Sequence, residues 1–450
     1  MATNKRIFAA IVAGGFALSG LAACSSDDDG ANGGGGNGDG DKGSVYFLNW
    51  KPESEQVYQE IAKAYTEETG VEVTVATAAS GTYEQTLKSE ITKSDAPTLF
   101  QINGPVGLQT WSDYALDLTD TEFAGNLTDE NVALKGEDGA IYGVPLAIEG
   151  YGIIYNEEIM DQYFALDGAK AESMDEINNF AKLKEVTDDM QARKDELGID
   201  GVFASTSLAP GEEWRWQTHL SNIPTYYEYK DDGVTDKDEI EFSHNEEFKN
   251  IFDLYLTNST VEPSLTPSKT VTDSMAEFAT GQAAMVQNGN WAWSQIKDVD
   301  GNVVAEDKIK FLPIYTGAEG EESQGLAIGT EAFMAINSQA DEADQQATID
   351  FVNWLFSSDE GKDYVLNDLG FIAPFNTFGE DEVPADPLAK EIQRYMSDDS
   401  LETVSWVFTT YPSQAFKDEF AQSLAQYASG NLEWDEVVTT FVDAWAAEKQ

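Results

Sequence analysis

From residue 44 onward the chain alternates between two hydrophobic rhythms. Residues 44–49 (SVYFLN) form a β-rich run, after which Tyr58, Ile61, Ala62 and Tyr65 recur at helical spacing until Gly70 supplies a stop. Val71, Val73 and Val75 then alternate as one face of a strand does. Tyr83, Leu87 and Ile91 mark a second helix, and Pro97 precedes the apolar run TLFQIN at 98–103. This βαβαβ order predicts a parallel sheet with helices on both faces, with ligands beyond the carboxyl ends of its strands. The loops after Asn49, Ala76 and Asn103 should therefore line a cleft.

Residues 141–156 (IYGVPLAIEGYGIIYN) are almost continuously apolar or aromatic, broken mainly by Gly, Pro and one Glu, as a buried crossing strand pair would be. Ala347, Phe351 and Leu355 place a helix over 345–357. Two more carry Phe416, Phe420, Leu424 and Tyr427, then Val437, Val438, Phe441, Val442 and Trp445, so the chain should finish in helices. No internal repeat stands out, and no stretch after residue 24 is long and apolar enough to span a membrane.

The opening residues follow a different logic. Lys5 and Arg6 precede an apolar stretch from Ile7 to Leu21, and small residues lead into Cys24, the layout of an export signal. The stretch falls short of the roughly 20 residues a permanent span needs. Residues 25–42 hold seven Gly and five Asp with no large apolar side chain, a composition expected to act as a flexible tether.

Charge narrows the function classes. With 26 Lys plus Arg against 82 Asp plus Glu, the formal charge is −56. Such a surface repels nucleic-acid backbones and anionic headgroups, so membrane attachment would have to be covalent or embedded. One Cys excludes a disulfide framework within the chain, and two His leave little for imidazole-based metal sites or triads. The acidic string DVDGN at 298–302 has its Gly at the wrong place for a calcium loop and reads as a turn. No cofactor or metal is expected. At 450 residues, two or more lobes are.

Several strings carry a resemblance to a known family. LAAC at 21–24 looks like the lipobox of bacterial lipoproteins, in which cleavage precedes the Cys and its thiol takes a lipid. YGVPLAIEGYGIIYN (142–156), FATGQAAMVQNGNWAW (278–293) and the long segment 332–374 resemble, in order and spacing, the extracellular solute-binding proteins of sugar ABC importers, maltose-binding protein among them. The resemblance covers most of residues 44–450. It implies an α/β, two-lobed periplasmic-binding-protein-like fold with a hinge and an interlobe cleft. It divides the chain into a signal peptide (1–23), the lipidated Cys24 and tether (24–43), a first lobe (44–147 and 330–372) and a second (152–325 and 376–450). It also implies a monomer that hands a sugar or oligosaccharide to ABC permease subunits without altering it; the lipobox implies a lipid anchor at Cys24 outside the cytoplasmic membrane, and the long tether behind it suggests a Gram-positive host.

Sugars offer C–H faces that stack on aromatic rings and hydroxyls that pair with carboxylates and amides, so a site should combine both. Trp291, in NGNWAW, aligns with the family's stacking tryptophan; Trp293 fits the interior better. Glu149 aligns with a hinge-strand glutamate that accepts hydroxyl hydrogen bonds, although a structural salt bridge would equally explain a carboxylate in an apolar run. Tyr151 shares its strand face. Trp50 follows the first strand, and Gln101 and Asn103 end the third, where the string QINGP departs from the maltose-binding pattern. Residues 80–82 could contact hydroxyls or cap a helix. Of Trp214 and Trp216 only one can face a cleft on a helix. Trp406 sits near the position of a last binding tryptophan.

Two other classes compete. The acidic charge and aromatic residues could suit a polyamine, or the ligand could be a peptide. A glycoside hydrolase needs two carboxyls at about 5–5.5 or 6.5–9.5 Å, which 82 acids cannot exclude, but no catalytic signature accompanies them. A Ser-His-Asp arrangement would depend on His219 or His244, and no GxSxG surrounds a serine.

Overall fold

In the computed structural model, which describes residues 42–449 apart from Ser80 and Glu380, the apolar runs become two sheets. The leader, Cys24, the tether up to residue 41 and Ser80 lie outside the described residues. Chain order gives β1 (Ser44–Asn49), β2 (Glu72–Thr77), β3 (Leu99–Asn103), β4 (Leu134–Lys135), β5 (Ile141–Pro145), β6 (Glu149–Asn156), β7 (Gly201–Phe203), β8 (Ala283–Gly289), β9 (Ile309–Leu312), β10 (Gln324–Gly329), β11 (Ala332–Ile336) and β12 (Glu402–Ser405).

The first sheet runs β2-β1-β3-β11-β5-β4. β1 is parallel to β2 and β3, as the βαβαβ order predicts. β11 is antiparallel to both β3 and β5, because it arrives from the other sheet and starts where β3 ends. The period of two sorts the cores: Val45 and Phe47 of β1 pack with Tyr58, Ile61, Ala62 and Tyr65 of the helix Glu55–Thr69, whereas Leu48 faces the opposite core with Tyr83 and Leu87.

The second sheet runs β12-β10-β6-β8-β7, with β9 also on β6. Every residue of β6 is buried, which explains why its middle is apolar on both faces. Its Tyr151, Ile153 and Tyr155 join one core and Ile154 the other.

Three segments join the sheets: residues 146–148 between β5 and β6, Thr330 and Glu331 between β10 and β11, and a longer return before the helix Pro387–Met396. Residues 376–385, assigned by sequence to the second lobe, keep to the first sheet's side. Asn376 N–H donates to Asn126 O at 2.8 Å and Ala385 N–H to Leu366 O at 2.9 Å. The chain changes sides at Pro387, whose helix buries Leu388, Ala389 and Ile392 in a core of the second sheet.

The helices Gln414–Ala428 and Trp434–Glu448 close the chain, burying Phe416, Phe420, Leu424, Val437, Phe441 and Trp445 as their spacing predicts. Phe441 stacks on Phe242 at 4.0 Å between centroids. Phe242 holds a left-handed φ of 53°, a strain that the surrounding aromatic packing offsets. Among the described residues no helix is long and apolar enough to cross a membrane. Phe441→Ala should lower stability by about 3–5 kcal/mol, read as a reduced midpoint in urea unfolding at unchanged slope.

Candidate functional site

The end of β1 builds one wall of a cavity between the sheets. Asn49 is fully buried; its amide donates to Lys51 O at 2.8 Å and its Oδ1 accepts the Lys51 N–H at 3.0 Å, which turns the chain sharply. Trp50 is held at that turn by its N–H, which donates to Gln101 Oε1 at 2.8 Å. The Tyr83 hydroxyl accepts the Gln101 N–H at 2.7 Å, and its ring meets Trp50 edge-on at 5.5 Å.

The opposite wall comes from an irregular helix. Residues Arg215–Leu220 wind as a π-helix, a wide turn that recurs at functional sites. Its entry splits the two tryptophans: Trp216 is buried, donating through Nε1 to Ser207 O at 2.9 Å, and Trp214 faces the cavity beside Gln217, Thr218 and His219. Trp291 follows β8 and folds back over it. A Cβ at Gly289 would fall 2.2 Å from the Trp291 ring, so only glycine admits that fold. Trp214 and Trp291 lie 5.8 Å apart at 45°.

The cavity has a volume of about 330 Å³ and is open to solvent, with Trp50, Trp214 and Trp291 on its walls and Asn103, Gln217, Thr218 and Gln295 among its polar groups. At the rim the walls almost touch: a Cβ on Gly81 would lie 3.3 Å from Gly211 O.

Charge in this space is paired unevenly. Lys51 Nζ meets Glu149 Oε1 at 2.8 Å with both side chains buried, a bond between the turn after β1 and the first residue of β6. Burial alone would lower the Lys51 pKa, but Glu149 and Glu53 outweigh it and raise it. The Arg215 guanidinium lies 3.9 Å from the Trp214 ring centroid. It is buried, and none of its three nitrogens has a hydrogen-bond partner among the described residues. Burial depresses its pKa to about 9, so it stays cationic at neutral pH. Burial, reinforced by Arg215, holds His219 well below the usual imidazole range and therefore neutral. Glu331, on the short link between β10 and β11, is pushed up to about 7, by burial first, with Glu149 and Glu53 adding and Lys51 and Lys417 opposing.

The structure sorts the residues singled out from sequence. Trp50, Asn103, Trp214 and Trp291 line the cavity. Glu149, Gln101, Tyr151 and Trp406 lie behind the wall. Glu149 Oε1 is taken by Lys51 and Gln101 Oε1 by the Trp50 backbone, while Gln101 Nε2 is buried without a partner among the described residues. Tyr151 is stacked on His219 at 4.4 Å, and Trp406 is buried against Tyr151 at 5.5 Å. Trp293 packs partly against a core of the second sheet. Gly81 lines the cavity next to the undescribed Ser80. His244 is elsewhere, bonded to Asp231. Residues not anticipated include Tyr83, Gln217, Thr218, Glu331 and Lys417. Glu331 alone had a legible signal, a carboxylate between two apolar strand runs.

A profile of the bacterial extracellular solute-binding protein family matches residues 60–391. The chain belongs to this family. Its fold is that of two-lobed, periplasmic-binding-protein-like structures. A chitin oligosaccharide binding protein is similar at 17% identity and a TM-score of 0.71, over 91% of this chain and 100% of that one. RafE in complex with raffinose is similar at 16% identity and 0.68, over 90% and 100%. The GacH receptor of Streptomyces glaucescens, solved unliganded and with acarbose, is similar at 16% and 0.66, over 90% and 98%. Comparison with curated proteins by sequence gives no match.

In this solute-binding protein the Lys51–Glu149 pair should show the asymmetry of buried ion pairs. Lys51→Met, which strands a buried carboxylate, is expected to cost about 3–5 kcal/mol, and the double change Lys51→Met with Glu149→Leu markedly less, measured by chemical unfolding.

Proposed function

We propose that the chain captures a short saccharide outside the cell and passes it, chemically unchanged, to the transmembrane subunits of an ABC importer. One observation carries the ligand class: a cavity between two sheets whose walls present three indoles beside amide and hydroxyl groups. Flat indole faces suit sugar C–H faces, and Asn103, Gln217, Thr218 and Gln295 suit hydroxyls. The volume of about 330 Å³ lies at the small end of ligand pockets, which favours few sugar units. The sugar-binding proteins of similar fold support the same class.

Trp50, Asn103, Trp214 and Trp291 are the proposed contacts. Glu149, Gln101, Tyr151 and Trp406 support them from behind. The lobes are taken as 44–145 with 332–385, and 149–329 with 387–449, hinged at the segments between. Contacts from both lobes let a ligand stabilise the closed form, which a permease can recognise. Export through the leader, lipid attachment at Cys24, a monomeric state and a Gram-positive host complete the proposal, supported by the LAAC string and the tether composition.

A cationic ligand has one observation in its favour, the carboxylates Glu53, Glu84, Glu213, Glu331 and Asp418 around the cavity. The indoles weigh against it. Trp214 already carries Arg215, and Lys51 Nζ lies 5.6 Å from the Trp291 centroid, so an ammonium group would meet rings whose faces serve the protein's own cations.

Thermal shift and calorimetry against chito-oligosaccharides, raffinose, acarbose, monosaccharides, polyamines and peptides should give a raised midpoint with a saccharide. A midpoint raised only by amines or peptides would overturn the ligand class, and release of new reducing ends would favour an enzyme. Trp291→Ala and Trp214→Ala should each weaken saccharide capture more than tenfold with the unfolding midpoint little changed; equal affinity would remove that ring from the site.

A further inference from the structure

Four residues that line the cavity carry a buried side-chain atom with no hydrogen-bond partner among the described residues: Asn103 Oδ1, His219 Nδ1, Trp291 Nε1 and Gln295 Oε1. Asn103, Trp291 and Gln295 keep part of their surface exposed, so a small rotation can return their polar atoms to water. His219 has no such freedom. It is 2% exposed, and its plane lies on Tyr151 at 4.4 Å and 12°, with Phe408 at 5.4 Å and Trp406 at 6.0 Å packed around it. Toward the cavity it completes a triangle of rings. Its centroid is 4.9 Å from Trp214 and 5.5 Å from Trp291, and those two are 5.8 Å apart. The imidazole is the corner at which the two indoles meet.

Packing alone would favour phenylalanine in this box, because a polar ring buried without a partner costs stability and a phenyl ring does not. Neither imidazole nitrogen bonds to a protein group among the described residues. Nδ1 is sealed, which leaves Nε2 as the nitrogen that the cavity reaches. Burial first, then Arg215, Lys417 and Lys51, keep the ring neutral, so it carries one proton. Buried donors go unpaired more rarely than buried acceptors, which assigns that proton to Nε2.

Resting on the saccharide reading above, we propose that His219 is a specificity-determining contact whose Nε2–H donates to an acceptor oxygen of a sugar seated in the corner between Trp214 and Trp291. The indoles grip C–H faces and discriminate little between hydroxyl patterns. A donor fixed between them selects the sugars that bring an oxygen to that spot, because any other guest leaves the N–H unpaired. The stack on Tyr151 holds the ring in place before the ligand arrives, so little ordering is needed on binding.

The test is calorimetry at pH 7 with chito-oligosaccharide, raffinose and acarbose on the whole chain and its His219→Phe and His219→Gln variants. Urea unfolding and nitrogen-15 NMR of the imidazoles accompany it, the chain having only two histidines. His219→Phe keeps a flat ring in the box and should weaken the best-bound probe roughly tenfold, while the unfolding midpoint holds or rises. His219→Gln places an amide nitrogen near Nε2 and should bind more tightly than His219→Phe. In wild type His219 should be neutral with its proton on Nε2, whose signal moves when the probe saturates the site while those of His244 stay. Losses confined to chito-oligosaccharide would mark the acceptor as an acetamido oxygen, and losses shared with raffinose or acarbose as a hydroxyl. If His219→Phe unfolds, the wild-type NMR signature decides. If wild type binds none of the sugars, the saccharide reading fails and this contact with it. Should wild type bind while His219→Phe keeps its affinity, or while the bound imidazole carries its proton on Nδ1, the contact alone is refuted.

Discussion

The Lys51–Glu149 ion pair is the constraint on which the rest of the molecule turns. It joins the first residues beyond β1 to the first residue of β6, so one buried bond ties the two sheets at the base of the cavity. Neither charge could stay buried alone. Its presence fixes where Trp50 leaves its strand, because Lys51 also receives the Asn49 amide, and it brings Lys51 near the face of Trp291. The walls are therefore positioned by electrostatics at the floor as much as by the cores behind them.

That arrangement gives the cavity a particular chemistry. Its aromatic faces are accompanied by cations the protein itself supplies, and the imidazole between the walls is kept neutral. Strong charges sit close together without cancelling inside the space, and what is left for a guest is a set of flat rings and hydrogen-bonding groups. A neutral polyhydroxyl molecule meets these demands with no desolvated charge of its own.

Much of the fold was legible because its signals are local. Tyr58, Ile61, Ala62 and Tyr65 declare a helix within one stretch, and the largely apolar run of β6 declares burial on both faces. What was illegible depends on path. β11 has the composition of any strand, and its reversal comes only from entering its sheet at the cleft side. The chain's third change of side moved from 376 to 387 because hydrogen bonds to Asn126 and Leu366 are set by tertiary approach. In the site, the parity of Trp214 and Trp216 said that one must turn inward. Which one was decided by the π-helix, a backbone state without a sequence signature. Gln101 and Glu149 had the right chemistry to touch a ligand, but partners 51 and 98 residues away had already taken one oxygen of each.

The lip of the cavity has its own consequence. Where Gly81 faces Gly211, the rims meet through naked main chain, the thinnest gasket a polypeptide can make. A side chain at Gly81 would press on the Gly211 carbonyl like a doorstop, whereas one at Gly211 would point into open space. Gly81 is thus a place where one added carbon acts on the mouth of the cavity through bare main chain.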